Sequence, residues 1–447
     1  MRWRRATLNG WGRSTVATVE AARPERIAEL QRSLAEVGPE GAIAYGAGRS
    51  YGDAALNPGG RTLLTERLDR ILAFNPETGE LVAEPGVTFG EMLRLFLPRG
   101  FMLPVTPGTG FATLGGGVAT DVHGKNHDWA GSFGDHLLWL DLMLPSGEVV
   151  RASPDERPGL FAATIGGIGL TGIVVALAFK LMRVPSPAVA VRQWRVRDLD
   201  ELMGLMEEHR QTATFSVAWV DALARGRRLG RGILEVADPA REGASVPPPK
   251  PGPTVRRDLP GFVLNPLSIG LFNAFHWRGV PRRGSTRLMH YERYLYPLDG
   301  IAGWNRIYGK RGFHQFQAVL PDETSPAGIR ALLEAISRNH GASFLSVLKT
   351  LGGEGRGLLS FPRRGFTLAL DFPRRSGSAA LFAALERLTL DHGGRVYLAK
   401  DALLSPAGFA AMYPGLPAFR DLLEEIDPGQ RMTSAMARRL GLREPRE

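Results

Sequence analysis

The sequence predicts an α+β protein, and three observations carry that expectation. Residues 1–187 are dense in glycine and in short apolar runs separated by turns, the texture of many short strands. From Val189 onward strand-like and helix-like runs alternate, which suits one antiparallel sheet backed by helices. The turn Pro185-Ser186-Pro187 separates the two textures. At 447 residues the chain is too long for one compact core. Texture therefore divides it into 1–187, 188–394 and a tail, 395–447.

Taken in order, Thr15–Val19 leads into a helical pattern over Pro24–Val37, with Ile27, Leu30, Leu34 and Val37 at helical spacing. Ala42–Tyr45, Leu63–Thr65, Ile71–Asn75 and Leu81–Glu84 read as strands. Thr88 is an N-cap for a helix Phe89–Leu97, with Glu91 at the third helical position. Leu137–Leu144 and Gly147–Ala152 form a hairpin pattern, and Ile173–Leu181 is a β-branched strand. The second part reads as strand Val189–Val196, helix Leu199–Arg210, strands Thr214–Val220 and Gln315–Val319, helix Ala327–His340, strands Leu345–Thr350 and Thr367–Asp371, and helix Gly377–His392. Residues 237–286 read as a long irregular loop, and loops of that length are usually functional. The tail shows a strand and two short helical patterns.

Composition removes several classes of function. Apolar residues are 44% and charged residues 22%, ordinary for a globular protein. With no cysteine, disulfides, iron–sulfur clusters and thiolate chemistry are excluded. His123 and His127 are four apart, but Gly124 argues against the helix that would align them, so no metal site is expected. The net charge of +10 is a mild bias that favours an anionic substrate or membrane surface. No basic stripe interleaved with aromatics marks a nucleic-acid binder. Met1–Arg5 is basic, but Ala6–Val19 is too polar for a signal peptide, and Ile165–Met182 is broken by four glycines. The expected location is cytoplasmic or peripheral to a membrane.

Three glycine-rich segments carry the chemistry. Gly46-Ala47-Gly48-Arg49-Ser50-Tyr51-Gly52-Asp53 follows a strand, and its glycines let backbone N–H groups turn inward as an anion cradle. It is not a Rossmann loop: its glycines are spaced G-x-G-x-x-x-G, and Asn57-Pro58-Gly59-Gly60 cannot open a helix. The second segment, residues 104–136, holds Pro107-Gly108-Thr109-Gly110, Leu114-Gly115-Gly116-Gly117 and His123-Gly124-Lys125-Asn126-His127. The third is Thr164–Ile173. Each alone is a set of turns; three in one region imply close backbone approach to something flat or phosphorylated.

These segments, with Tyr397-Leu398-Ala399-Lys400-Asp401, resemble the FAD-binding elements of the vanillyl-alcohol-oxidase/p-cresol-methylhydroxylase (PCMH-type) flavoproteins. The similarity is strongest to the branch that oxidises a polyprenylphosphoryl ribose, and it covers nearly the whole chain. It implies an FAD-binding domain formed by both chain ends, with an α+β substrate domain inserted. Gly46–Asp53, Gly108, Thr113, Leu114, Gly115, Gly116, Thr120, His123, Gly124, Ile173 and Tyr397 would hold FAD. The first loop lacks the histidine through which some relatives attach flavin, so FAD is expected to be non-covalent. Lys400, Tyr51 and His123 would serve the reaction, with Lys400 as base or hydroxyl-orienting group, its proton affinity lowered by burial.

The resemblance also marks Gln315, Gln317, Lys349, Lys125, Trp219, Tyr291 and Thr367 as substrate contacts. Gln315 and Gln317, two apart, share one face of a strand. Tyr291 and Trp219 suit a core equally well. Thr367 and Ala369 stand where the family has asparagine and cysteine. The implied reaction is oxidation of the 2′-hydroxyl of polyprenylphosphoryl-β-D-ribose, with an NAD(P)-dependent reductase partner completing an epimerisation. The alternative is oxidation of a soluble polyol or aldonolactone. The basic, apolar stretch 256–283 is expected to meet a membrane.

Overall fold

The computed structural model describes residues 2–282, 284–339 and 344–443. It is an α+β structure. Near the N-terminus, Arg4–Asn9, Val16–Ala22, Arg61–Leu64 and Ala42–Tyr45 form a four-stranded sheet in that spatial order. Val16–Ala22 alternates cleanly, with Ala17, Val19 and Ala21 turned inward. A second, five-stranded antiparallel sheet has Ile173–Lys180 at its centre. Every residue of that strand except Lys180 is buried, which is why its sequence is continuously apolar. Helix Phe89–Phe96 starts in a reciprocal cap: Glu91 N–H donates to Thr88 Oγ1 at 3.2 Å, and Thr88 N–H donates to Glu91 Oε2 at 2.9 Å. Such a cap contributes about 1 kcal/mol.

The eight-stranded sheet positions the site. In space it runs from Ser285–His290, which pairs with Ala188–Val196, to Arg395–Val396, and all its pairings are antiparallel. Because side chains alternate, register decides what each face carries. One cross-strand row is Trp219–Val347–Ala369–Gln317, and these side chains face a cavity. The neighbouring row, Leu234–Ala218–Leu348–Leu368–Ala318, faces helices Leu199–His209, Ser325–Arg338 and Ser378–Asp391. Truncating a leucine in such a row typically costs about 2–5 kcal/mol.

Three sequence expectations need correction. The stretch 237–286 is not irregular throughout: it holds helix Pro266–Arg278, begun by Pro266 and an Asn265–Ser268 cap. That helix is apolar on all sides, so it shows no amphipathic period to read. The tail has three helices, Pro406–Met412, Leu416–Ile426 and Ala435–Leu440, rather than two. Arg395–Val396, assigned by texture to the tail, pairs with Phe313–Pro321 as the edge of the large sheet.

Candidate active site

The three glycine segments, the sheet face and the tail converge on one cavity of about 600 Å³, within the ~300–1,000 Å³ typical of small-molecule sites. Backbone bonds stitch its walls together. Tyr51 N–H donates to Ala399 O, and Tyr397 N–H to Gln317 O, both at 2.9 Å. Glycine is required where the walls meet: a Cβ on Gly52 would lie 1.9 Å from Asp401 O. At Gly108 the reverse holds, since an added Cβ meets nothing within 4 Å and points into open space.

Lys400 ends a short 3₁₀ turn, Leu398–Lys400, its N–H bonded to Tyr397 O at 3.0 Å. Its Nζ lies 4.0 Å from the centre of the Tyr51 ring. Asp401, the obvious surface partner, is engaged elsewhere: it accepts from Leu403 and Leu404 N–H and pairs with Arg439 at 2.9 Å. Burial pulls Lys400 down to about 8, and the Asp371 carboxylate opposes that pull. Tyr51 is pushed well above its usual range, by burial first and then by Asp371.

Two further lysines line the same cavity. Lys349 Nζ donates to Gly124 O at 3.3 Å, and Lys125 lies 3.9 Å over the Tyr294 ring. Burial, then the charges of Lys400 and Lys125, hold Lys349 down to about 7; burial brings Lys125 to about 8. Gln317 Nε2 lies 2.9 Å from His123 Nε2 and also donates to Thr367 Oγ1 at 3.2 Å. His123 is kept neutral by burial and by neighbouring Lys349, and its Nδ1 has no partner among the described residues. Arg49 stacks between Trp11 and Phe111, its Nε likewise unpartnered.

Most of the expected site residues line this cavity: Gly46–Gly52, Gly108, Thr113, Gly115, Gly116, Thr120, His123, Gly124, Lys125, Ile173, Trp219, Gln315, Gln317, Lys349, Tyr397 and Lys400. Four do not. Asp53 turns away to pair with Arg439 at 2.8 Å. Leu114 packs in a core cluster and spends its N–H on Val87 O. Tyr291 is fully buried with Phe215 and Tyr294, in ordinary core. Thr367 is buried opposite Lys349 on the same face of the sheet but does not line the cavity, and its Oγ1 accepts from Gln317 Nε2.

Asp371 was missed from sequence. Fully buried, it accepts from Gln315 Nε2 at 2.5 Å and from Tyr308 OH at 3.1 Å. Burial raises its carboxyl to about 7. The available signal was a lone acid ending the apolar run Phe366–Leu370, two residues from Ala369 and so on its face of the strand.

The donor set fits FAD. The cavity offers a glycine wall with open space at Gly108, the unpartnered Arg49 Nε, and His123 Nδ1 on one side. Residues 20–153 match the FAD-binding domain family, and together with a full-length relative this defines the class: an FAD-linked oxidoreductase. The chain is 34% identical to the decaprenylphosphoryl-β-D-ribose oxidase of Mycolicibacterium smegmatis, over 97% of each chain, and it belongs to that family within the PCMH-type flavoproteins. It is also 26% identical to the alditol oxidase of a Streptomyces species, over 97% of this chain and 99% of that one. A D-lactate dehydrogenase of Arabidopsis thaliana is 28% identical over 33% of this chain and 27% of its own. No described helix is long and apolar enough to cross a membrane.

Proposed function

We propose that this enzyme oxidises the 2′-hydroxyl of a polyprenylphosphoryl-β-D-ribose to the 2-keto sugar, the first half of an epimerisation to the arabinose donor for cell-wall synthesis. A separate NAD(P)-dependent reductase would complete it. Residues 1–187 and the tail beyond the edge strand Arg395–Val396 would form the FAD-binding part, with FAD held non-covalently, and 188–394 with that edge strand the substrate part. One observation carries the substrate class: Lys125, Lys349 and Lys400 line a single cavity, and none forms an ion pair among the described residues. That surplus of buried positive charge suits a phosphorylated sugar better than a neutral polyol.

Bound FAD supplies a two-electron acceptor for the hydride of the carbinol carbon. The chain supplies the rest. Near neutral pH a fraction of Lys400 is uncharged, and its Nζ can take the hydroxyl proton as the carbonyl forms. Tyr51, packed against Nζ, and Asp371, acting through charge, fix where that amine points and how readily it binds a proton. Gln315 and Gln317 would hold the sugar hydroxyls, each hydrogen-bonded to a buried partner, Asp371 and Thr367. Lys349 and Lys125 would regain full charge on meeting the phosphate.

The test is a substrate panel with an artificial electron acceptor. Polyprenylphosphoryl ribose should give the highest kcat/KM and a 2-keto product, with alditols and aldonolactones at least about 100-fold lower, the loss that corresponds to the upper end of the ~1–3 kcal/mol cost of one unsatisfied buried polar group. Preference for an alditol would replace this reading with the polyol one.

A further inference from the structure

Helix Pro266–Arg278 is built unlike a surface helix, which is apolar along one stripe and polar opposite. Its inner side is already docked. Ile269 is buried, Asn273 Nδ2 donates to Asp221 at 2.7 Å, and Trp277 Nε1 donates to Val196 O at 2.8 Å. Its outer side is apolar as well. Leu267, Leu271 and Phe275 fall at successive four-residue steps, and Leu267 and Phe275 are 73% and 76% exposed. Phe262, just before the helix, is 76% exposed too. A continuous apolar stripe of this kind marks an interaction surface.

The charges around it select the partner. Between residues 256 and 282 the only acid is Asp258, and Arg13 pairs with it at 2.5 Å. Arg278 and Arg282 are exposed at the C-terminal end of the helix, while Arg283 lies outside the described residues. Arg228 lines a second depression, of about 440 Å³, together with Pro266 and Gly270 of the helix. A two-fold contact between copies of this chain would set these arginines against one another. Anionic headgroups above acyl chains accept both the arginines and the apolar stripe. The helix also borders the main cavity through Phe272 and His276, and Phe272 is itself 47% exposed. Phe272 therefore belongs both to the exposed face and to the lining of the cavity that holds the lysines.

We propose that the outer face of helix Pro266–Arg278 seats on an anionic lipid surface and opens the cavity at that surface. Docking stands on the helix alone. Entry of a prenyl-linked sugar with its tail still in lipid rests on the function proposed above.

The test is flotation with phosphatidylglycerol/phosphatidylcholine vesicles and with pure phosphatidylcholine vesicles. Wild-type holoenzyme should float with the anionic vesicles, and high salt should weaken that binding. Leu271→Glu with Phe275→Glu should remain unbound while keeping its melting temperature and flavin. Arg278→Gln with Arg282→Gln should bind about twenty-five-fold more weakly, at about fivefold per arginine. Both variants should oxidise detergent-dispersed polyprenylphosphoryl ribose at the wild-type rate and lose rate only on vesicle-embedded substrate. A wild type that does not float, or a Leu271/Phe275 variant that floats equally well, overturns the proposal. So does a wild-type dimer that the same pair of substitutions dissolves without any vesicle binding. No oxidation of the detergent-dispersed substrate, with flotation intact, counts against the function and leaves docking standing.

Discussion

Lys400 is a buried amine whose nearest carboxylates are committed elsewhere, Asp401 to Arg439 and Asp371 to Gln315 and Tyr308. Lys400→Ala should therefore keep fold and flavin, because both depend on backbone contacts of other residues. Anaerobic flavin reduction by substrate should slow by about 10²–10⁴, the usual range for a positioned acid–base group. Lys400→Arg should rescue little, since a guanidinium does not deprotonate at working pH. Loss of flavin together with activity would make the residue structural instead.

Asp371 gives the pH-dependent counterpart. Its negative charge favours protonated Lys400, so removing it lowers the amine's proton affinity further. In Asp371→Asn the rise of the reduction rate with pH, set at about 8 by Lys400, should move to lower pH. The two profiles should differ most between about pH 7, where the native carboxylate ionises, and about pH 8, and converge below that window and well above it, where the amine is uncharged in both. Superimposable profiles would remove Asp371 from this role. Lys400 was legible in the sequence because a motif surrounds it. Asp371 was not, because one acid closing an apolar strand acquires a partner only when register sets it opposite Gln315.

At the scale of elements, the glycine segments were the most legible part of the site, since glycine at such density has few other uses. Two of them make opposite predictions. Gly52→Ala drives a Cβ into Asp401 O, so the protein should purify with little flavin and a lowered melting temperature. Gly108→Ala meets no protein atom, so the apo form should melt as wild type while FAD binds more weakly. Flavin-to-protein absorbance and apo melting curves separate these outcomes; equal behaviour of the two variants would mean that Gly108 does not face the cofactor. The alternating strands and the Thr88 cap were equally readable, because burial on one face or a reciprocal hydrogen bond leaves a period or a spacing. Helix Pro266–Arg278 left neither: apolar residues on every side carry no period. Tyr291 misled for a related reason, as a large aromatic suits a core and a sugar pocket alike.

At the scale of the molecule, the cavity draws on residues 46–52, 106–125, 315–349 and 397–400, and no spacing rule joins stretches so far apart. What joins them is the large sheet, whose final edge pair Arg395–Val396 delivers Tyr397 and Lys400 beside Gln317 and the first glycine loop. The mild net charge of +10 likewise conceals where charge matters, since three of its lysines share one cavity. The most direct measurement is the absorption spectrum of the purified holoenzyme under anaerobic conditions. It is recorded before and after one equivalent of polyprenylphosphoryl-β-D-ribose, and the protein is then precipitated with acid. The account predicts a flavin spectrum that bleaches with this substrate and not with a free alditol, and yellow flavin in the supernatant on reoxidation. A spectrum unchanged by the phospholipid sugar and bleached by the alditol would contradict it, and colour retained in the pellet would contradict non-covalent binding.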